Sequence, residues 1–149
     1  MKSFLLPLAA ALALASCGPN SYTREFVKAS ATLASPPANA EGPWLGTWKS
    51  EVNGHTGPLW CIVKPNPDRP ADYDFRYRAG WGALRFGDYT HITPARLAND
   101  GSMALVGEMK LPGGFGNYQV EGNLTRDTFT ATYRGAEDRG VMTLKRPAR

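Results

Sequence analysis

Histidines and cysteines are the residues of this sequence best suited to catalysis, and there are four of them. They are His55, His91, Cys17 and Cys61. None lies in a pattern such as HExxH, CxxC, a P-loop or G-x-S-x-G, which would bring a nucleophile, a base or a set of metal ligands together. The sequence therefore predicts no catalytic residue, no metal site, no cofactor and no enzyme activity.

Two side chains in predicted loops are candidates for contact with a partner protein. His55 lies in the Asn-Gly turn of a predicted hairpin, and Phe115 lies in a glycine-rich loop over residues 112–116. A histidine in such a turn either acts at the rim, as a base or a ligand contact, or hydrogen-bonds the loop backbone. His91 belongs to a later strand, where we expect a surface position or a cross-strand contact.

Aromatic side chains recur on the predicted inner faces of the strands. A small barrel either fills its interior with such side chains or encloses one small ligand. Buried tyrosine hydroxyls need hydrogen-bond partners, so tyrosines near a barrel mouth would suit a pocket with a polar end. The candidate ligand-binding residues are Trp48, Tyr73, Tyr77, Tyr118 and Tyr133. The alternative is that they form the core.

The first 16 residues have the composition of a secretory signal peptide. Met1-Lys2 gives a positive start, and residues 4–15 form an apolar run too short to span a bilayer. The run ends in Leu14-Ala15-Ser16-Cys17, which resembles the lipobox of bacterial lipoproteins. In that family the peptide is removed before the cysteine, which then carries a diacylglyceryl thioether and an N-acyl chain such as palmitate.

This resemblance implies that Cys17 is lipidated and anchors the protein in the cell envelope. Residue 18 is Gly rather than Asp, which in Gram-negative bacteria resembles the pattern of outer-membrane lipoproteins facing the periplasm. Ordinary cleavage after Ala15 is the alternative. With Cys17 acylated, Cys61 has no partner in the chain. Its neighbours are apolar, so we expect a buried small residue rather than a nucleophile.

Three segments follow from these patterns. Residues 1–16 are the signal peptide, residues 17–41 are the lipidated cysteine and a flexible tether, and residues 42–149 are the barrel domain. A diproline and many small residues predict a mostly disordered tether, with a helix docked on the barrel as the alternative.

From Trp44 onward the sequence alternates with period two and is interrupted by turn residues every 8–15 positions. The first predicted strand places Trp44, Gly46, Trp48, Ser50 and Val52 on one face, and the fourth places Leu84 and Phe86 inward. Eight short strands joined by short connections predict an all-β fold. An antiparallel up-and-down barrel is favoured because closure removes unpaired edges. An open barrel or a two-sheet sandwich is the alternative.

Gly46-Thr47-Trp48 on the first of eight strands resembles the G-x-W of lipocalins and avidins. The chain is also similar to small uncharacterised bacterial proteins with three motifs. These are W-x-G-x-W at residues 44–48, N-G-H-x-G-x-L at residues 53–59 and D-x-G at residues 138–140. The first resemblance implies a barrel; the second carries no function.

Charge excludes one class of partner. Without residues 1–16 the chain keeps 16 basic and 13 acidic side chains, too small and too dispersed an excess for nucleic acid. The sequence thus predicts a non-enzymatic, lipid-anchored envelope barrel that binds a small apolar ligand or an envelope partner. The alternative is an inhibitor or assembly factor that acts on an envelope protein through the barrel loops.

Replacing Cys17 with Ser should separate export from anchoring. The charged start and the apolar run stay intact, so export should continue, but acylation cannot occur. Because two or more acyl chains anchor a protein stably, the wild type should fractionate with the envelope. The Ser variant should appear as soluble protein or uncleaved precursor. Identical fractionation of the two would contradict lipidation.

Overall fold

The computed structural model describes residues 20–111 and 116–148, without the side chains of residues 86–88. Cys17 and Phe115 lie outside the described residues. One helix and eight strands occur in this part of the chain. In order they are α1 (Ser21–Thr32), β1 (Gly42–Ser50), β2 (Thr56–Pro65), β3 (Asp72–Trp81), β4 (Leu84–Leu97), β5 (Met103–Lys110), β6 (Asn117–Leu124), β7 (Thr128–Arg134) and β8 (Arg139–Lys145). No helix among these residues is long and apolar enough to cross a bilayer.

Each strand pairs antiparallel with the next, and β8 pairs with β1, so the sheet is a closed barrel. This confirms the predicted eight-stranded up-and-down architecture. Inward residues alternate with outward ones most regularly on β7, where Phe129, Ala131 and Tyr133 are buried and the residues between them are exposed. Alternation of this kind buries one face of every strand in a common interior.

Close contact between the first and last strands depends on a glycine. A Cβ on Gly46 would lie 2.0 Å from the carbonyl oxygen of Thr143 on β8. No side chain fits in that space, so Gly46 lets the two backbones approach. The predicted inward position of Gly46 therefore corresponds to the point where the barrel closes.

Trp44 and Arg146 cover one end of the barrel. Trp44 is fully buried, and its indole Nε1 donates to the Ala40 carbonyl at 3.0 Å. The Arg146 guanidinium lies 3.8 Å from the centre of the indole ring and donates to the carbonyls of Asn39 and Pro43. Burial lowers the pKa of Arg146 to about 10, against the opposing effect of Asp127. We call this the closed end.

The prediction of a flexible tether is wrong for residues 21–32, which form α1 and pack on the outside of the barrel. Asn20 caps the helix by accepting from the Thr23 amide at 2.9 Å. Tyr22 is 2% exposed, and Glu25 forms ion pairs with Lys64 and Arg76. One aromatic and one acidic residue, three positions apart on the helix, thus both contact the barrel.

Two predicted inward residues are exposed instead. Val52 lies in the turn after β1 and is 57% exposed, because β1 ends at Ser50. Leu84 opens β4 at the tip of its hairpin and is 62% exposed. Leu84 is paired with Trp81, so the predicted alternation fails at the hairpin tip even within a paired strand.

Truncating Trp44 should destabilise the fold strongly. Trp44→Ala removes a fully buried ring, so we expect a loss of about 3–5 kcal/mol in the free energy of unfolding. Val106→Ala is the matched control, since Val106 is 66% exposed and surface changes stay within about 0.5 kcal/mol. Urea unfolding measures both. Equal midpoints for Trp44→Ala and wild type would show that the closed end is not structural.

Candidate functional site

Three of the five predicted ligand-binding residues meet inside the barrel. Tyr77, Tyr118 and Tyr133 are 0%, 8% and 9% exposed. Tyr89 links them, with ring centres 5.5 Å from Tyr77 and 6.3 Å from Tyr118, and Tyr118 lies 5.9 Å from Tyr133. These four side chains form a continuous row, called here the tyrosine row.

The other two predicted residues lie apart from this row in different ways. Trp48 is half-buried on the inner face of β1, where its Nε1 donates to the Gly80 carbonyl at 3.0 Å, towards the end opposite Trp44. Tyr73 lies towards the closed end, and its hydroxyl donates to Glu41 Oε1 at 3.4 Å. The structure therefore does not bring Tyr73 to the tyrosine row.

Sequence reasoning missed three inward residues of β4. Tyr89 was not assigned to either face, Thr93 was not considered, and His91, expected at the surface or in a cross-strand contact, is 1% exposed. The cause is a register shift between the pairs Tyr77–Tyr89 and Ala79–Phe86. A bulge of this kind inverts the alternation beyond it. The only signal in the sequence is Gly87 in the middle of the strand.

Hydrogen bonds satisfy the polar groups at the Tyr133 end of the row. The Tyr133 hydroxyl donates to Asp138 Oδ2 at 2.9 Å, and the Ser50 hydroxyl donates to Asp138 Oδ1 at 2.6 Å. The Ser50 oxygen accepts in turn from the Val52 amide at 3.1 Å. This end of the row is a completed network joining β1, β7 and the last hairpin.

The polar atoms on β3 and β4 are different. The Tyr77 hydroxyl, both ring nitrogens of His91 and the Thr93 hydroxyl are buried and make no hydrogen bond of good geometry among the described residues, although the Cys61 thiol lies close to Tyr77 and the Glu108 backbone lies close to His91. Buried polar groups in proteins are nearly always hydrogen-bonded, since an unpaired one costs about 1–3 kcal/mol. Four such atoms on neighbouring strands therefore distinguish this part of the interior. We call Tyr77, His91 and Thr93 the unpaired cluster.

The barrel wall beside the unpaired cluster has few paired positions. Among the described residues β4 pairs with β5 at three positions, Ala95 to Leu97, so the ladder stops short of His91 and Thr93. Opposite them lies Gly107, where a Cβ would be 2.5 Å from Thr93 Cγ2 and 3.1 Å from His91 Nε2. A glycine at this place lets both side chains press against the backbone of β5.

Burial keeps the interior uncharged at neutral pH. It raises the pKa of Tyr77 and Tyr118 well above the usual value for a phenol, and that of Tyr89 to about 12. Burial also lowers the pKa of His91, opposed by the Glu108 backbone, and raises the pKa of the Cys61 thiol, which faces Tyr77. The interior thus offers neutral hydrogen-bond donors and acceptors beside aromatic rings.

His55, the predicted partner-contact residue, lies on the rim at the end opposite Trp44. Its ring stacks on Trp81 with centres 4.8 Å apart, and its amide donates to Asn53 Oδ1 at 2.9 Å. Trp81 is 46% exposed. Within the described parts of the chain, no three His, Cys, Asp or Glu residues are grouped so that they could hold a metal ion.

No protein-family model, no curated protein and no solved structure matches this chain. Its function therefore has to be argued from its own geometry.

His91 should make stability depend on pH. The unfolded chain takes up a proton near pH 6.5, but burial lowers the pKa of His91 in the fold. The unfolded state then binds more protons, so stability present above pH 7 is lost as pH falls towards 5. In His91→Gln the urea midpoint should fall less between pH 7 and pH 5. His55→Gln, an exposed histidine, should behave like wild type. An unchanged pH dependence in His91→Gln would contradict burial of the neutral ring.

Proposed function

We propose that this protein is a non-enzymatic, lipid-anchored lipoprotein of the cell envelope whose barrel binds one small, largely apolar ligand. The observation that carries the proposal is the unpaired cluster of Tyr77, His91 and Thr93. These groups need hydrogen-bond partners, and the adjoining rings of Tyr89 and Tyr118 offer an apolar surface. Closed barrels of eight strands, such as lipocalins and streptavidin, hold a single small ligand in this way.

The chemistry of the lining restricts the ligand. His91 is neutral and supplies one donor and one acceptor, and the two hydroxyls can each do either. No charged side chain belongs to the unpaired cluster. A charged ligand would lose its hydration there without an opposite charge to replace it. The ligand is therefore a neutral molecule with an apolar or aromatic body and at least one polar group.

The proposed location in the cell envelope depends on Cys17 and the four-residue lipobox that it completes. Acylation there would hold the barrel on a membrane, which in a Gram-negative cell would be the outer membrane on its periplasmic side. We propose no catalytic role for Cys61, because burial raises the pKa of its thiol and a protonated thiol is a poor nucleophile.

A second function is favoured by one observation at the rim. Trp81 exposes almost half of its surface, and its hairpin partner Leu84 exposes 62%. Val52 and His55 lie on the neighbouring turn. Exposed aromatic and aliphatic side chains at one rim are typical of a protein-binding surface. An inhibitor or assembly factor would use these loops.

Native mass spectrometry of the protein purified from its own envelope tests the ligand. Wild type should retain a small-molecule adduct. In Tyr77→Phe/Thr93→Val the retained fraction should fall, by about fivefold for each hydrogen bond lost at about 1 kcal/mol. In the ligand-free state the variant should not melt earlier than wild type, since each change removes an unpaired buried hydroxyl.

Tyr73→Phe is the matched control, because Tyr73 lies at the other end of the barrel. Its adduct should equal that of wild type. A wild-type barrel with no adduct and a co-purifying protein would contradict the ligand proposal and support the rim. An adduct that persists undiminished in the double variant would place the ligand elsewhere.

A further inference from the structure

The docked helix α1 leaves a short connection between the barrel and the proposed lipid. Ser21, the first helical residue, follows Cys17 by four positions. At about 3.3–3.6 Å per residue, even a fully extended connection spans at most about 14 Å. A lipidated Cys17 would therefore keep the first turn of α1 within that distance of the bilayer surface.

Side chains in the first two turns of α1 make contacts that fix the helix to β2 and β3. The Tyr22 hydroxyl donates to the Arg76 carbonyl at 3.2 Å, and the Arg76 guanidinium lies 5.1 Å from the centre of the Tyr22 ring. Arg78 Nη1 donates to Thr23 Oγ1 at 3.0 Å. Ion pairing with Lys64 and Arg76 lowers the pKa of Glu25. Whatever lies close to the first turn of α1 is thus close to this side of the barrel.

The surface at that place suits an anionic membrane. A groove of about 190 Å³ runs between α1 and the strands, lined by Tyr22, Thr23, Phe26, Trp60, Arg78 and Arg85. Of the described residues that line it, two are arginines and none is acidic. Arg85 lies over the Trp60 ring at 5.5 Å. Arginine attracts anionic head groups, and tryptophan favours the interface between lipid and water.

The opposite wall has a different character. A larger groove of about 750 Å³ lies across β5 to β8, and the acids Glu51, Glu108 and Glu121 share it with Arg134 and Arg139. Its three acids outnumber its two arginines, so it offers an anionic surface no net attraction. Both the charge of the two grooves and the position of α1 favour the wall beside the helix as the one that meets an anionic membrane.

The hairpin between β3 and β4 extends this surface. Arg85 Nη1 donates to the carbonyls of Gly82 and Leu84, which ties the hairpin tip to the groove. Trp81 and Leu84 at the tip are exposed. An exposed Trp and Leu beside arginines could enter the interfacial region of a bilayer without loss of a buried contact.

We propose that the lipidated protein rests on its own membrane through this surface, with the groove of α1 and the β3–β4 hairpin against anionic lipid head groups. The proposal rests on the lipidation of Cys17. The barrel is then held in one orientation at the bilayer, and the rim that carries His55 and Trp81 faces the lipid.

Lipid quenching of a single fluorescent label tests the orientation. Full-length protein is purified from its own envelope with an introduced cysteine at Ala83 in the hairpin tip or at Thr132 on the opposite wall, and it is labelled in the folded state. Both positions are exposed, whereas the native Cys61 is buried. The proteins are reconstituted on vesicles of phosphatidylethanolamine and phosphatidylglycerol, with a quencher on the lipid acyl chains near the head groups.

The label at residue 83 should be quenched more strongly than the label at residue 132. Equal quenching at both positions of a vesicle-bound protein would overturn the orientation and leave lipidation standing. Protein that does not float with the vesicles would overturn lipidation and the orientation with it.

Unlipidated protein tests the surface by itself. With Cys17→Ser as the background, Arg78→Gln/Arg85→Gln should weaken binding to the same vesicles by about 30-fold, as expected for two arginines near an anionic surface. The control Arg134→Gln/Arg139→Gln should change binding little, since it alters the opposite wall. Equal losses in the two variants would contradict the proposed surface.

Discussion

Pairing of β1 with β8 holds the whole sheet in its closed form. The ladder runs from Leu45–Lys145 to Ser50–Gly140, and it depends on glycines that leave no side chain between the strands. A Cβ on Gly140 would lie 2.0 Å from the Lys49 carbonyl oxygen. Without this contact both strands would be open edges, and the residues now enclosed would lie on one face of a curved sheet.

Closure also explains why the unpaired cluster has its present form. Inside a closed wall water has little access, so a hydroxyl or imidazole must find its partner among the neighbouring side chains or in a bound molecule. Tyr133 and Ser50 achieve this through Asp138. Tyr77, His91 and Thr93 do not, although they share the same interior. His91 and Thr93 lie on β4, which pairs with β5 at three positions among the described residues.

The fold was predictable because its strands alternate and their turns are short. Local sequence carries both signals, as on β7, where every second residue is buried. The inward positions of Tyr77, Tyr118 and Tyr133 were predictable because alternation continues without interruption around them. The bulge in β4 concealed His91, since one additional residue inverts the pattern and nothing in the sequence fixes its position. Tyr73 follows the same alternation as the other tyrosines but lies at a different height along the barrel axis. That height depends on the stagger between strands. The docking of α1 was only the alternative prediction, because it depends on ion pairs across 39 and 51 positions of sequence.

Arg146 has a consequence for how the chain reaches this structure. Its guanidinium binds Pro43 and Asn39, which are 103 and 107 positions away in sequence. Contacts between residues so distant form late, because the loop they close must first be brought together at an entropic cost. A chain that emerges from a membrane one residue at a time cannot close this barrel until residue 146 has emerged. For most of the transfer β1 would have an unpaired edge and an uncovered tryptophan, a state that invites association with other chains. The residue that covers the finished barrel thus also determines how long the unfinished one needs protection.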